Sequence, residues 1–386
     1  MSEIGVGLVG YKFMGKAHSH AYRDIPMFFP DCPRPVVKAI CGRDAQAVAE
    51  AAPVLGAERS LTDWRELMGA EDVDLVDIAA PGDAHHEIAI AAAEAGKHVL
   101  CEKPLANSLA EARAMLAAVE RAKVQHMVIF NYRYVPAVQL ARRLISDGRL
   151  GRVYHMRAQF LQDWIVDPGF PLVWRLRKEV AGSGSLGDLG AHLIDMARFL
   201  VGEFTDVVAA TETFIKERPL PTESGGLSAS GNPSTGRGEV TVDDASIFLA
   251  HLEGGVLGTF EATRFAPGHR CTNAFEVNGS KGSVRFDFER MNELQVYFTE
   301  DGADTQGFRL INVNDSAHPY AGRWWPAGHG TGYDVTFVHQ IVDFLEAIDS
   351  GNTAAPTFVD GVRCQEVLEA VSLSAANRTW VTVADV

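Results

Sequence analysis

A lysine, an aspartate and a histidine carry the chemistry open to this chain. Lys103 stands in Glu102-Lys103-Pro104-Leu105, directly after the apolar run 98–101. In a doubly wound sheet, ligands are held beyond the carboxyl ends of the strands, which is where this lysine falls. Asp188 and His192 lie four residues apart inside a helical pattern over 185–201, so they share one helix face. Lysine and histidine can both serve as a base when their surroundings bring the pKa towards neutrality, as a neighbouring positive charge does for lysine. A base for a hydroxyl proton beside a hydride acceptor is what oxidation of an alcohol requires. Each group also has a plainer reading. Lys103 is then a surface lysine and Asp188–His192 a helix-surface pair. Asp195 either orients the imidazole or is an ordinary exposed acid.

A dinucleotide-type turn shifts the balance towards chemistry. After the apolar run 4–9 comes Gly10-Tyr11-Lys12-Phe13-Met14-Gly15. The G-x-G-x-x-G fingerprint uses its glycines for a tight turn, for approach of the pyrophosphate and for helix–strand packing. Here the first and third glycines stand, and Lys12 replaces the second. Lys12 either adds charge to the pyrophosphate rim or points into solvent. A helix N-terminus with free N–H groups attracts an anion in either case. A half-matched fingerprint also fits a glycine turn of another α/β fold.

The next strand ends in Gly42-Arg43-Asp44. An acid at that strand end would hold the ribose hydroxyls of NAD, but Gly42 occupies the place. Arg43 suits adenine stacking or a 2′-phosphate, and Asp44 either reaches the ribose or caps the following helix. These residues alone leave NAD and NADP both open. Pro81, Gly82 and His85 follow the third strand and are candidates for the nicotinamide side; His85 and His86 read equally well as polar caps.

The chain must fold so as to position these groups. Its 386 residues exceed one ordinary core and predict two domains. Apolar runs 4–9, 36–41, 73–80, 98–101 and 126–130 alternate with helical stretches, one opened by the capping box Ser108-Leu109-Ala110-Glu111. This rhythm predicts a parallel, doubly wound sheet. After Asn131 strand patterns dominate, at 153–160, 207–215, 245–252, 256–263, 274–277, 283–288 and 294–298. Glycine turns at 253–255 and 279–282 signal antiparallel hairpins. Residues 219–238 read as a long surface loop, and helices are expected at 335–348 and 361–376. The fold class is therefore α/β. A dinucleotide-binding domain is expected at 1–128. A substrate-binding and oligomerisation domain with a large, mostly antiparallel open sheet is expected at 129–386.

The formal charge of -15 argues against nucleic acid or an anionic membrane as partner. Five scattered cysteines without a C-x-x-C predict neither a disulfide framework nor a zinc site, and no metal is expected. The start lacks a signal-peptide pattern, and no apolar run reaches the roughly 18 residues of a membrane span. A cytoplasmic location is the expectation.

These motifs together resemble the glucose–fructose oxidoreductase, inositol dehydrogenase and rhizopine-catabolism (Gfo/Idh/MocA) family over essentially the whole chain. The resemblance is carried by the Gly10 to Gly15 turn followed by His18, by 95–104 ending in Glu102-Lys103-Pro104, by Asn131-Tyr132-Arg133, and by 184–192. It implies a Rossmann domain followed by an open-sheet α/β domain, assembled as a homodimer or homotetramer. It also implies that Lys103, Asp188 and His192 form the catalytic group, with Glu102 and Lys103 beside the cofactor. Within the family, segments such as 161–164, 174–175, 217–219 and 261–264 are similar to the branch acting on carbon 3 of anhydrosugars and glycosides, whose members use NAD.

Aromatic faces suit the C–H faces of sugars, and amides or guanidinium groups suit hydroxyls. Tyr132, Tyr134, Gln162, Trp164, Trp174 and Arg175 are therefore substrate-side candidates alongside Lys103, Asp188 and His192; hinge packing is their plainer role. The expectation is an NAD(P)-dependent dehydrogenase of a secondary hydroxyl on a pyranose, anhydrosugar, glycoside or cyclitol. Two rivals remain: an NADPH-dependent ketosugar reductase and a non-catalytic dinucleotide-binding redox sensor.

Overall fold

A computed structural model of the chain describes residues 2–221 and 236–386. The first part alternates strictly: β1 (Glu3–Val9), α1 (Phe13–Phe28), β2 (Arg34–Cys41), α2 (Ala45–Leu55), β3 (Arg59–Leu61), α3 (Arg65–Met68), β4 (Leu75–Ile78), α4 (His85–Glu94), β5 (His98–Glu102), α5 (Leu109–Ala122) and β6 (His126–Ile129). Then come α6 (Pro136–Ser146), β7 (Val153–Leu161), α7 (Lys178–Ala181), α8 (Ala191–Leu200), β8 (Phe204–Glu212), β9 (Glu217–Pro219), β10 (Arg237–Glu239), β11 (Ala245–Leu252) and β12 (Val256–Thr263). The chain closes with β13 (Thr272–Gly279), β14 (Gly282–Asp287), β15 (Glu293–Phe298), β16 (Arg309–Asn312), α9 (Val335–Ser350), α10 (Phe358–Asn377) and β17 (Val381–Thr382).

These elements form two compact units. The first comprises Met1–Val135, Arg323–Trp325 and Thr331–Arg363. Its six strands are all parallel, in the order β3-β2-β1-β4-β5-β6. β4 is buried throughout, as expected of a parallel strand covered on both faces. Strand order reverses between β1 and β4, which makes that carboxyl edge the ligand crevice of a doubly wound sheet. The capping box forms as read: Ser108 Oγ accepts the Glu111 N–H, and the Glu111 carboxylate accepts the Ser108 N–H. α9 returns from far along the chain, and its Phe337, Ile341, Phe344 and Leu345 enter the same core as Ile4, Leu8, Tyr22 and Ile25. Burying one such side chain contributes about 1.5–3 kcal/mol. The edge strand β6 is sealed: Val128 donates to Pro356 O, and Gln340 Nε2 donates to Val128 O.

The second unit comprises Pro136–Gly322, Pro326–Gly330 and Cys364–Val386. It is built on a nine-stranded sheet, β16-β15-β14-β13-β7-β12-β11-β8-β17. β7 and β12 pair in parallel and the other described neighbours antiparallel. The hairpins β11–β12 and β13–β14 fall at the two glycine turns read from the sequence. β11 alternates strictly: Ser246, Phe248, Ala250 and Leu252 are buried, while Ile247 and Leu249 face outward. The expected fold class stands. One local expectation changes. The stretch 219–238 begins and ends in a two-stranded ladder of β9 and β10, and its interior, 222–235, lies outside the described residues.

Candidate active site

In the first unit, the ends of β1, β2, β4 and β5 bring the predicted cofactor residues to one sheet edge. Gly10 has φ of 112°, and a Cβ there would lie 2.5 Å from Ala79 O. A Cβ on Gly15 would lie 2.1 Å from Gly10 O, so α1 crosses the turn at backbone contact. Lys12 is the N-cap of α1, exposed like Phe13, and no side chain caps this helix. An uncapped N-terminus at a glycine turn fits a dinucleotide pyrophosphate. Met14 is partly buried against the apolar core.

Gly42 lies against Tyr11, whose Cε1 would be 2.1 Å from a Cβ there. An aromatic ring therefore occupies the space beside the strand end where an acid would hold the ribose of NAD. Arg43 is exposed, and Asp44 takes the capping role, accepting the Ala47 N–H at 3.0 Å. Pro81 and Gly82 are half-buried after β4. His85 is only 1% exposed, with Nε2 3.0 Å from Ala80 O and Nδ1 3.1 Å from Pro104 O. It ties the β4 end to the loop after Lys103, which is a buttress rather than a helix cap.

Behind this edge lies a buried polar group. His18 Nδ1 is 2.9 Å from both carboxylate oxygens of Asp77, and Nε2 is 3.0 Å from Glu102 Oε1. Tyr22 donates to Asp77, and Glu102 Oε2 accepts the Lys103 N–H. Burial works against charge on His18, but Asp77 and Glu102 outweigh it and raise its pKa from 6.5 to about 10. Glu102 thus turns inward. Lys103 itself is half-buried at the loop start, and its bond to Pro104 is cis. Tyr132 and Tyr134 sit in the helical turn Asn131–Tyr134. Tyr134 is buried and donates to Ala355 O, a packing role, while the Tyr132 ring lies 6.4 Å from that of Tyr333.

In the second unit, Asp188 and His192 are carried by a π-helical turn, Leu186–Gly190, that leads into α8. The sequence pattern suggested one regular helix; the wider turn departs from it at Asp188, and π-turns often mark functional sites. Asp243 pins the start of this turn. Its carboxylate accepts the Gly184 N–H (2.7 Å), the Ser185 hydroxyl (2.6 Å) and the Leu186 N–H (2.8 Å). The Asp188 side chain is 28% exposed, while His192 is nearly buried, its ring 5.8 Å from Phe160. Asp195 is 2% exposed and so is not a surface acid.

Two arginines face Asp188. Arg264 Nη1 is 3.7 Å from its Oδ2. Arg175 lies over the Trp174 ring at 4.3 Å; burial lowers its pKa, opposed by Asp188 and reinforced by Arg264. Trp164 donates to Gln162 Oε1 at 2.9 Å. The loop bearing these residues is held by fully buried Arg218, which donates to the carbonyls of Ile165, Asp167 and Phe170. The structure thus gathers Gln162, Trp164, Trp174, Arg175, Asp188 and His192 in one unit, and the cofactor candidates with Lys103 in the other.

Tyr11, Asp77 and Arg264 also stand among these groups, although the sequence motifs do not select them. Asp77 was visible as an acid inside the apolar run 73–80 and Arg264 as a charge closing an alternating strand; nothing marked Tyr11. Among the described residues, one cluster, His20, Asp24 and Asp334, brings possible metal-ligand atoms within 4.8 Å of one another. Its His20 and Asp24 already face each other at 3.6 Å.

Comparison with known proteins follows the same division. Residues 4–130 match the model described as "Oxidoreductase family, NAD-binding Rossmann fold", and residues 138–285 match the "GFO/IDH/MocA C-terminal domain". A levoglucosan dehydrogenase of Pseudarthrobacter phenanthrenivorans is 47% identical over 99% of both chains. The chain belongs to the GFO/IDH/MocA family of oxidoreductases. Among solved structures, an oxidoreductase domain protein from Kribbella flavida is 52% identical, with TM-score 0.93, covering 99% of this chain and 100% of that one. A levoglucosan dehydrogenase in complex with NADH and levoglucosan is 45% identical, with TM-score 0.93 and the same coverage. The family assignment makes the first unit an NAD-binding Rossmann domain, to which its uncapped α1 and glycine turn are suited.

Proposed function

We propose that this protein is an NAD-dependent dehydrogenase that oxidises a secondary hydroxyl of levoglucosan or a related pyranoside, at carbon 3. The observation that carries it is the shared carboxyl edge of β1, β4 and β5, which holds the dinucleotide turn and Lys103 on one sheet. The extent of identity to levoglucosan dehydrogenase supports the substrate class. The first unit binds the dinucleotide, and the second supplies the substrate-facing side chains.

When bound, the nicotinamide takes up the hydride. The chain's own residues handle the rest. The N-terminus of α1 and Lys12 hold the pyrophosphate, and Arg43 stands at the adenosine end. His192, assisted by Lys103, takes the hydroxyl proton, and Asp188 accepts a hydrogen bond from a sugar hydroxyl. Trp164 and Trp174 offer faces to the C–H surface of the ring, while Gln162 and Arg175 meet hydroxyls.

The outward face of the nine-stranded sheet carries Ile247, Leu249 and Leu257, each more than 40% exposed. Exposed apolar side chains on adjacent strands support association of copies through this face, as a homodimer or homotetramer. Sedimentation of wild type and Leu249→Arg checks this, since wild-type behaviour in the variant speaks against that face.

Activity is tested by following NADH formation with NAD or NADP against levoglucosan, glucose, myo-inositol and aryl glucosides. Turnover of levoglucosan with NAD supports the proposal, and product analysis fixes the carbon. Binding of NADH without turnover of any polyol overturns it.

A further inference from the structure

Arg264 closes β12 as a wholly buried cation. Its Nη2 donates to the backbone carbonyl of Asp243 at 3.1 Å. Asp243 is the residue whose carboxylate caps the π-turn bearing Asp188. Nη1 faces the Asp188 carboxylate at 3.7 Å. Nε and Nη1 make no hydrogen bond within the protein. The guanidinium carbon lies 5.5 Å from the centre of the Trp164 ring. One side chain therefore touches the backbone that anchors the turn, the carboxylate the turn presents and an aromatic substrate candidate. A guanidinium buried from solvent is stable only beside compensating charge or acceptors, and Asp188 supplies charge beside Nη1, which makes no hydrogen bond within the protein.

We propose that Arg264 is a positioning residue for Asp188: it fixes the orientation and charge of that carboxylate so that it accepts a hydrogen bond from a hydroxyl of the bound sugar. This rests on the reading of Asp188 as part of the catalytic group. Arg264 does not itself meet the reacting atoms. Its lever is the 3.7 Å approach, together with its hold on the Asp243 backbone. A lysine can supply the charge but not the planar fork that reaches both.

The test uses the full-length protein with NAD and levoglucosan, comparing wild type, Arg264→Lys and Arg264→Ala, with and without added guanidinium. Arg264→Ala is expected to lose roughly tenfold to a hundredfold in kcat, the range for losing one charged partner. NADH affinity, read by fluorescence titration, stays at the wild-type value. Arg264→Lys recovers part of the loss, and millimolar guanidinium restores turnover to Arg264→Ala at an unchanged melting temperature. Wild-type kcat in Arg264→Ala overturns the proposal. So does a loss that follows unfolding alone and is restored by neither lysine nor guanidinium. If Arg264→Ala does not fold, Arg264→Lys carries the comparison.

Should wild type oxidise none of the polyols, the functional reading fails separately. The pair is then read directly from the 13C carboxyl resonance of Asp188, identified by its disappearance in Asp188→Asn. A displaced resonance in Arg264→Lys supports the coupling, and an unmoved one overturns it.

Discussion

His18 Nε2 and Glu102 Oε1 lie 3.0 Å apart inside the first unit, and the other oxygen of Glu102 accepts the Lys103 N–H at 3.0 Å. The helix that starts at the dinucleotide turn is thereby coupled, through one carboxylate, to the backbone of the proposed catalytic lysine. The pKa of His18 stands at about 10, against 6.5 for an ordinary histidine. A raised folded-state value means that this contribution to stability is complete below about 6.5 and is lost as pH rises through about 10. Melting temperature should therefore decline on the alkaline side in wild type and more shallowly in His18→Gln. The variant should be about 3 kcal/mol or more less stable at neutral pH, because it strands two buried carboxylates. Parallel profiles for the two proteins in thermal melts would remove His18 from this account.

His339 has the opposite sign. It is fully buried, and burial depresses its pKa to about 4, despite a hydrogen bond with Tyr134 O. Trp324 donates to its Nε2 at 2.7 Å, a bond that a protonated ring cannot accept. As pH falls from 6.5 towards about 4, the unfolded chain takes up a proton that the folded chain refuses, so stability falls through that window. His126, also depressed to about 4 by burial, adds to the same limb. Urea titrations across this range should show a weaker pH dependence in His339→Gln than in wild type. An identical slope would count against the assignment.

Lys103→Met and His192→Ala should stay folded and bind NADH, yet lose about two to four orders of magnitude in kcat, the range for proton-transfer groups. Stopped-flow measurement of NADH formation under single-turnover conditions separates this from slow product release. Retention of wild-type turnover in either folded variant would be decisive against its role.

Gly184 admits no side chain, because a Cβ there would lie 1.8 Å from Asp243 O. Gly184→Ala should displace Asp243 from the start of the π-turn. The expected result is a loss of at least about 1 kcal/mol, in the range of overpacking substitutions, and a larger proportional loss of turnover than of NADH affinity. Chemical denaturation and a cofactor titration measure the two. Unchanged activity would show that the turn holds Asp188 without this cap.

Much of the architecture could be read from residue order. The five main parallel strands, the Ser108 capping box and the two glycine hairpins follow local rules of apolar periodicity and turn chemistry, and the structure has them. The short ladders of β9, β10 and β17 were not legible, because segments of two or three residues carry no periodicity and exist through their partners. Likewise, nothing local to Gly42 announced that Tyr11 would lie against it, since that contact joins the ends of two strands. The π-turn escaped for a related reason. Its sequence satisfies an ordinary helix, and the distortion comes with a cap from Asp243, distant in sequence. Asp188 and His192 become candidates through residue type, their spacing of four and the company of Lys103 and the glycine turn, whereas the cations around them depend on strand register.

The return of α9 to the first unit has a consequence for how the chain is made. Domains emerging from a ribosome generally fold as units, the N-terminal one first. Here the core around Ile4, Leu8 and Tyr22 lacks Phe337, Ile341 and Phe344 until nearly the whole polypeptide has been translated. The first sheet to be synthesised is therefore expected to close late, after the second unit has been translated. Ribosome-bound chains stalled before residue 331 should be cleaved by protease within the first 135 residues, and chains released at full length should resist. Early resistance would mean that the sheet closes without α9. Late closure would give this enzyme a prolonged dependence on chaperones that the order of its strands alone does not suggest.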